Sequence, residues 1–165
     1  MRRLPRGAGV LARGLAPGLL RAVAGLARRR GLVLMVGGDG RAALSVRAGL
    51  HLPDREGVPG LLPFLAMRRG AAAWALLSVA VHGRRAVARG RRVGADFAFA
   101  SPAFPTASHP GAPALGVQRW SALSRRAGRP AVALGGVAAG NAGRLPRGRM
   151  GARGLAAIGS LARNG

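Results

Sequence analysis

Short runs of consecutive apolar residues alternate along the chain with longer stretches where arginine, alanine and leucine recur at helical spacing. That alternation predicts repeated β-α units. Seven runs read as strands: Gly9 to Ala12, Leu32 to Val36, Gly49 to Leu52, Ala73 to Val81, Asp96 to Ala100, Ala131 to Leu134 and Gly154 to Ile158. Most are apolar at nearly every position, as parallel strands buried on both faces require, whereas a half-exposed antiparallel strand would alternate. Between them, Pro17 to Arg28 carries Leu19, Leu20, Val23 and Leu26 on one stripe and is stopped by Gly31. Gly83 to Val93 sets Ala86, Val87 and Gly90 at helical spacing among five arginines, and Gln118 to Ala127 continues the pattern. The stretch Ser101 to Ala114, SPAFPTASHPGAPA, has too much Pro and Gly for a regular element. Long loops of this kind are often functional.

Repeated β-α units with such a loop suit either a doubly wound sheet or a (β/α)8 barrel, and both place ligands at the C-terminal ends of strands. A complete barrel normally needs about 200 residues or more. With 165 residues and seven strands in a single domain, 1–165, a barrel reading implies that one unit is absent. The chain opens within a few residues of its first strand, so the missing unit is expected at the N-terminus.

Composition adds one strong feature. Against four acidic residues stand 27 basic ones, giving a formal net charge of +23, and every basic residue is arginine. Such a charge first suggests nucleic acid as a partner. The chain also lacks Lys, Tyr and Cys and has a single Ile and a single Thr, which is the profile a very G/C-rich coding sequence produces without selection for a basic surface. Both explanations stand at this point. The absence of Cys excludes disulfides, thiol redox chemistry and thiolate metal sites, in agreement with a cytoplasmic location. The longest strongly apolar stretch, Ala71 to Val81, has eleven residues against the roughly 20 needed to cross a bilayer, so no membrane span is expected.

The region after Val93 carries motifs that can be named. Gly94-Ala95-Asp96-Phe97 is followed by Ser101-Pro102-Ala103-Phe104-Pro105-Thr106-Ala107-Ser108-His109-Pro110-Gly111-Ala112-Pro113-Ala114-Leu115-Gly116, then by Pro130 to Val137 and Asn141-Ala142. Upstream lie Val81-His82, Gly49-Leu50-His51-Leu52 and Val36-Gly37-Gly38-Asp39. This order resembles the thiamine-phosphate synthase and TenI family, whose corresponding elements read approximately GADYVGLGPVFPTPTKPGAPPLG, IPVVAIGGI, PENA, SVH, GVHLG and an Asn-Asp pair. The resemblance covers roughly Leu32 to Gly159. It implies a TIM-like (β/α)8 barrel of the thiamine-phosphate synthase type lacking its first β-α unit.

The family joins a pyrimidine methyl pyrophosphate to a thiazole phosphate and releases pyrophosphate, with Mg²⁺. Because the reaction passes through a stabilised pyrimidine cation, the protein must hold phosphates and metal rather than supply a nucleophile. By this resemblance Asp39 and Asp54 are the candidate Mg²⁺ ligands, each with an alternative as a loop or helix-capping residue. Arg13 corresponds to the Arg of a Gln-x-Arg-x-Lys element that grips the pyrophosphate, with Leu11 and Leu15 in place of the Gln and Lys. His109 stands where the family has the Lys of Thr-Lys-Pro-Gly, and with Arg13 it is a candidate catalytic residue. Thr106, Ser108, His109, Gly111, Gly135 and Gly136 form the candidate phosphate site, whose glycines would equally serve a tight strand-to-helix turn. His51 and His82 are expected to pack or to form hydrogen bonds at strand ends.

The resemblance thus implies a transferase of bacterial thiamine biosynthesis acting on small phosphorylated substrates, with a homo-oligomer as an option and no membrane partner. A TenI-like thiazole tautomerase or an inactive member is the alternative. The tautomerase is disfavoured because the His of its GHVFET segment is Pro102 here. A basic nucleic-acid-binding protein is the second alternative, but aromatic residues make up only 4% and are not interleaved with arginine as a stacking platform would require.

Overall fold

The computed structural model describes residues 4–54, 57–70, 72–106, 111, 113–146 and 152–156. Among these, seven strands alternate with six helices: β1 (Gly9–Arg13), α1 (Pro17–Arg29), β2 (Val33–Gly37), α2 (Gly40–Ser45), β3 (Gly49–Leu52), α3 (Leu61–Arg69), β4 (Leu77–Val81), α4 (Arg84–Arg92), β5 (Phe97–Ala100), α5 (Gly116–Ala127), β6 (Ala131–Ala133), α6 (Ala139–Ala142) and β7 (Ala152–Leu155). The strands belong to one sheet whose spatial order is the chain order. Neighbours pair in parallel at β1/β2, β2/β3, β5/β6 and β6/β7. A doubly wound sheet reverses its strand order part-way, whereas successive barrel units add strands in sequence. The uninterrupted order therefore selects the barrel class over the doubly wound one.

The chain forms two compact units, Met1–Ser78 and Val79–Gly165. In the first, β3 is buried along its whole length, as its unbroken apolar run requires. Helix α1 starts at Pro17, where the missing N–H is no loss, and its last turn carries Arg28 and Arg29 against the negative end of the helix dipole. Its buried face is Leu20, Ala24 and Ala27. The stripe expected from the sequence included Leu19, which is 54% exposed; Leu20 is buried together with the small Ala24 and Ala27 instead. Helices α2 and α3 were not expected. Asp39 caps α2, its Oδ1 accepting from the Ala42 N–H at 2.9 Å. In α3, Pro63 occupies the third position, where the first turn tolerates it.

Strand β4 is shorter than the apolar run suggests, because Ala73 and Trp74 lie in a turn closed by the Ala75 N–H donating to the Ala72 carbonyl at 2.8 Å. Trp74 meets Phe64 edge-on, with ring centroids 6.5 Å apart. In the second unit, α4 buries Ala86, Val87 and Gly90 and leaves Arg84, Arg85, Arg91 and Arg92 exposed, with Arg89 half-buried. A Cβ on Gly90 would lie 2.8 Å from Val79 Cγ1, so the helix rests directly on the strand. Trp120 of α5 is fully buried and donates from Nε1 to the Ala100 carbonyl at 3.0 Å. Strand β7 begins two residues earlier than expected and alternates between half-buried and exposed positions. Residues 157 and 158 of the expected strand lie outside the described residues.

Candidate functional site

The loops that follow parallel strands hold most of the candidate residues. In the first unit, Arg13 ends β1 and stands in register with Gly37, the last residue of β2, which is in turn in register with His51 of β3. The three residues form one row across three strands. Arg13 is exposed overall, and its guanidinium crosses to His51, with Nη2 donating to Nε2 at 3.2 Å. His51 is only 1% exposed, and its Nδ1 lies 3.0 Å from the Oγ of fully buried Ser78. Arginine has no acceptor, so Nε2 must accept and Nδ1 must carry the proton donated to Ser78.

Two residues beyond Gly37 is Asp39, whose Oδ1 is engaged in capping α2. Asp54 lies in the loop after β3 and is exposed. Among the described residues no group of three or more His, Cys, Asp or Glu side chains could enclose a metal ion. Magnesium rarely needs such a cage; it is commonly held by one or two carboxylates together with substrate phosphates and water. The carboxylates after β2 and β3 fit that substrate-borne mode and do not fit a closed protein site.

In the second unit the corresponding loops are shaped mainly by backbone. Gly135 and Gly136 follow β6 with φ of 88° and 63°, which side-chain-bearing residues rarely adopt. A Cβ on Gly135 would lie 2.9 Å from Pro102 Cα, and one on Gly136 would overlap the Pro105 carbonyl oxygen. The two loops are joined by the Ala103 N–H donating to the Leu134 carbonyl at 2.8 Å and the Phe104 N–H donating to that of Gly135 at 3.0 Å. The glycines thus give the loop after β5 room to lie against the turn after β6. Asn141 clamps that turn: its Nδ2 donates to the Gly136 carbonyl at 2.8 Å, and its Oδ1 accepts from the Ala138 N–H at 2.9 Å.

Thr106 is half-buried in the same loop, and Gly111 is exposed with φ of 79°. Ser108 and His109 lie outside the described residues. Arg144 places its guanidinium 5.9 Å from the centre of the Phe104 ring, bringing a positive charge over this loop. His82 donates from Nδ1 to the Ser101 carbonyl at 2.7 Å, tying the end of β4 to the end of β5. Both described histidines therefore make strand-end hydrogen bonds, as the sequence suggests. The parts that local spacing did not reveal are Gly37, Ser78 and the clamping role of Asn141. A separate groove of about 590 Å³ lies on the helical face, lined by Arg84, Val87, Ala88, Arg91 and Arg126, and includes none of the candidate residues.

Comparison with known proteins fixes the family. The family model described as thiamine monophosphate synthase matches residues 17–161. The chain belongs to the thiamine monophosphate synthase family. A candidate thiamine-phosphate synthase of Aquifex aeolicus, the second of that name, is 28% identical over 120 residues, which is 72% of this chain and 61% of that protein. The match thus spans somewhat under two thirds of that relative's length. Among solved structures, the thiamine phosphate pyrophosphorylase from Pyrococcus furiosus superposes with a TM-score of 0.66 at 20% identity, covering 92% of this chain and 72% of that one. FabK from Thermotoga maritima gives 0.60 at 16% identity, covering 87% and 47%. At these identities the structural likeness carries the fold alone. It agrees with the sequential parallel order in assigning the thiamine monophosphate synthase barrel, of which the described residues hold seven strands.

Proposed function

We propose that the protein joins a pyrimidine methyl pyrophosphate to a thiazole phosphate, with release of pyrophosphate, as a thiamine-phosphate synthase. The observation that carries the proposal is the juxtaposition in the first unit of a seated cation and a carboxylate: Arg13 at the end of β1 and Asp39 just beyond its register partner Gly37 on β2. A pyrophosphate leaving group with a divalent cation calls for this pair of charges. The reaction breaks the bond between the pyrimidine methylene carbon and a pyrophosphate oxygen, and the electron pair departs with pyrophosphate. The thiazole nitrogen then supplies the pair for the new carbon–nitrogen bond. No side-chain nucleophile is needed.

Arg13 neutralises charge on the departing group. Asp39 and Asp54 would hold Mg²⁺, which when bound supplies further neutralisation of the pyrophosphate oxygens. Asp39 retains a second carboxylate oxygen for this while Oδ1 caps α2. In the second unit, Thr106, Gly111, Gly135 and Gly136, with Ser108 and His109, would take the phosphate of the thiazole partner through backbone N–H groups and hydroxyls. The overall positive charge adds an attractive field for both substrates.

The test is to supply both substrates with Mg²⁺ and measure thiamine phosphate. Product formation that stops on chelation supports the proposal. Thiazole isomerisation without thiamine phosphate would assign the chain to tautomerase chemistry instead, and the absence of both would overturn an enzymatic role.

A further inference from the structure

We infer that His51 is the positioning residue for Arg13, holding the guanidinium in its binding geometry before any ligand arrives. The inference deepens the proposed function, since it rests on Arg13 as the pyrophosphate contact. It starts from the row Arg13, Gly37, His51 across β1, β2 and β3. Position 37 lies between the other two and has no side chain. A Cβ there would come within 2.8 Å of Arg13 Cγ and 3.4 Å of Arg13 Nε, so Arg13 lies directly across this residue. Gly37 is thus the opening through which an exposed arginine reaches a buried imidazole one strand further on.

The imidazole is itself fixed from beneath. Ser78 Oγ accepts the proton on His51 Nδ1 at 3.0 Å, leaving Nε2 as an acceptor aimed at Arg13. Both His51 and Ser78 are buried, at 1% and 0% exposure, so water does not compete for these atoms. A free arginine at a strand end samples many rotamers, and that freedom is lost on binding an anion. Seated on His51 through Nη2, Arg13 has already lost it on folding. Its remaining N–H groups stay available as charge-assisted donors.

The probe is inorganic pyrophosphate with Mg²⁺, titrated by calorimetry. Arg13→Met is expected to lower affinity about tenfold, the loss of one charge-assisted contact. His51→Leu and Gly37→Ala are each expected to lower it about fivefold in the parent protein and by less than about twofold in the Arg13→Met background, because both act through the arginine. His51→Gln, which keeps an acceptor near the Nε2 position, is expected to restore most of the affinity. Equal losses with and without Arg13, or no loss from His51→Leu and Gly37→Ala, would overturn the inference.

Nitrogen-15 shifts of His51 test the positioning apart from the ligand. The parent protein should show protonated Nδ1 and unprotonated Nε2, and Arg13→Met should release that preference. A protonated Nε2 in the parent protein would overturn the positioning role whatever the affinities. An unchanged affinity in Arg13→Met combined with the expected tautomer would instead reject Arg13 as the pyrophosphate contact and leave its seating on His51 intact.

Discussion

The strand-end loops of the two units solve the same problem with different materials. In the first unit the arrangement is made of side chains: Arg13, His51 and Ser78 connected atom to atom, with Asp39 two residues beyond Gly37 in the row. In the second it is made of backbone: two glycines at positive φ, loop-to-loop amide bonds and Asn141 closing the turn. Charge follows the same division. Residues 1–78 contain three of the four acidic residues and residues 79–165 only Asp96, so a carboxylate pair for a divalent cation is available in the first unit and not in the second. Substitutions in the side-chain region should therefore change binding more than folding, and substitutions in the backbone region the reverse.

The largest effect is expected at Gly136. Replacement by Val combines a positive φ with overlap on the Pro105 carbonyl, and urea unfolding should show a loss of about 3 kcal/mol or more. A loss below about 1 kcal/mol would break the comparison, because the turn would then be adaptable. Next comes Asn141→Ala, which removes two hydrogen bonds and leaves the Gly136 carbonyl and Ala138 N–H seeking water. Its expected cost is about 1–3 kcal/mol, read from the same unfolding curves.

Asp39 sharpens the comparison because capping and metal binding separate there. Asp39→Ala should lose about 1 kcal/mol of stability, whereas Asp39→Asn, an equally good cap, should lose almost none. Both should weaken Mg²⁺-dependent pyrophosphate binding in calorimetry. If Asn retained full Mg²⁺ dependence, Asp39 would be a cap alone. The smallest effect is expected at Leu19, exposed on α1: Leu19→Ser should change stability by no more than about 0.5 kcal/mol, against a loss of about 2 kcal/mol or more for Leu20→Ala on the buried face.

How much of this could be read from the chain itself differs with the physics involved. The strands β1, β2, β3, β5 and β6 announce themselves as apolar runs ended by Gly, Arg, Ser or Pro, and their ends differ from expectation by a residue at most. The start of β4 does not, because Ala73 and Trp74 are as apolar as a strand yet turn to bring the indole against Phe64. Helix α2 is only six residues long, too short for a periodic signal, and Pro63 disguises α3. In the site, Arg13, Asp39 and the glycines after β6 were legible through the motif resemblance. The function of Gly37 did not emerge, because it depends on the register of three strands rather than on neighbours in sequence. The same holds for His51, whose partners lie 38 residues before it and 27 after it.

The arginine surplus sets the strictest background for the central claim, since a chain of net charge +23 attracts any polyanion. The decisive measurement is amide chemical-shift mapping with inorganic pyrophosphate and Mg²⁺ near physiological salt. The account predicts saturable shifts concentrated at the ends of β1 and β2, around Arg13, Gly37 and Asp39, with α4 and α5 unmoved. Shifts centred on Arg84, Arg91 and Arg126, or spread evenly over the arginine-bearing helices, would contradict it and leave the protein a non-specific polycation at these loops.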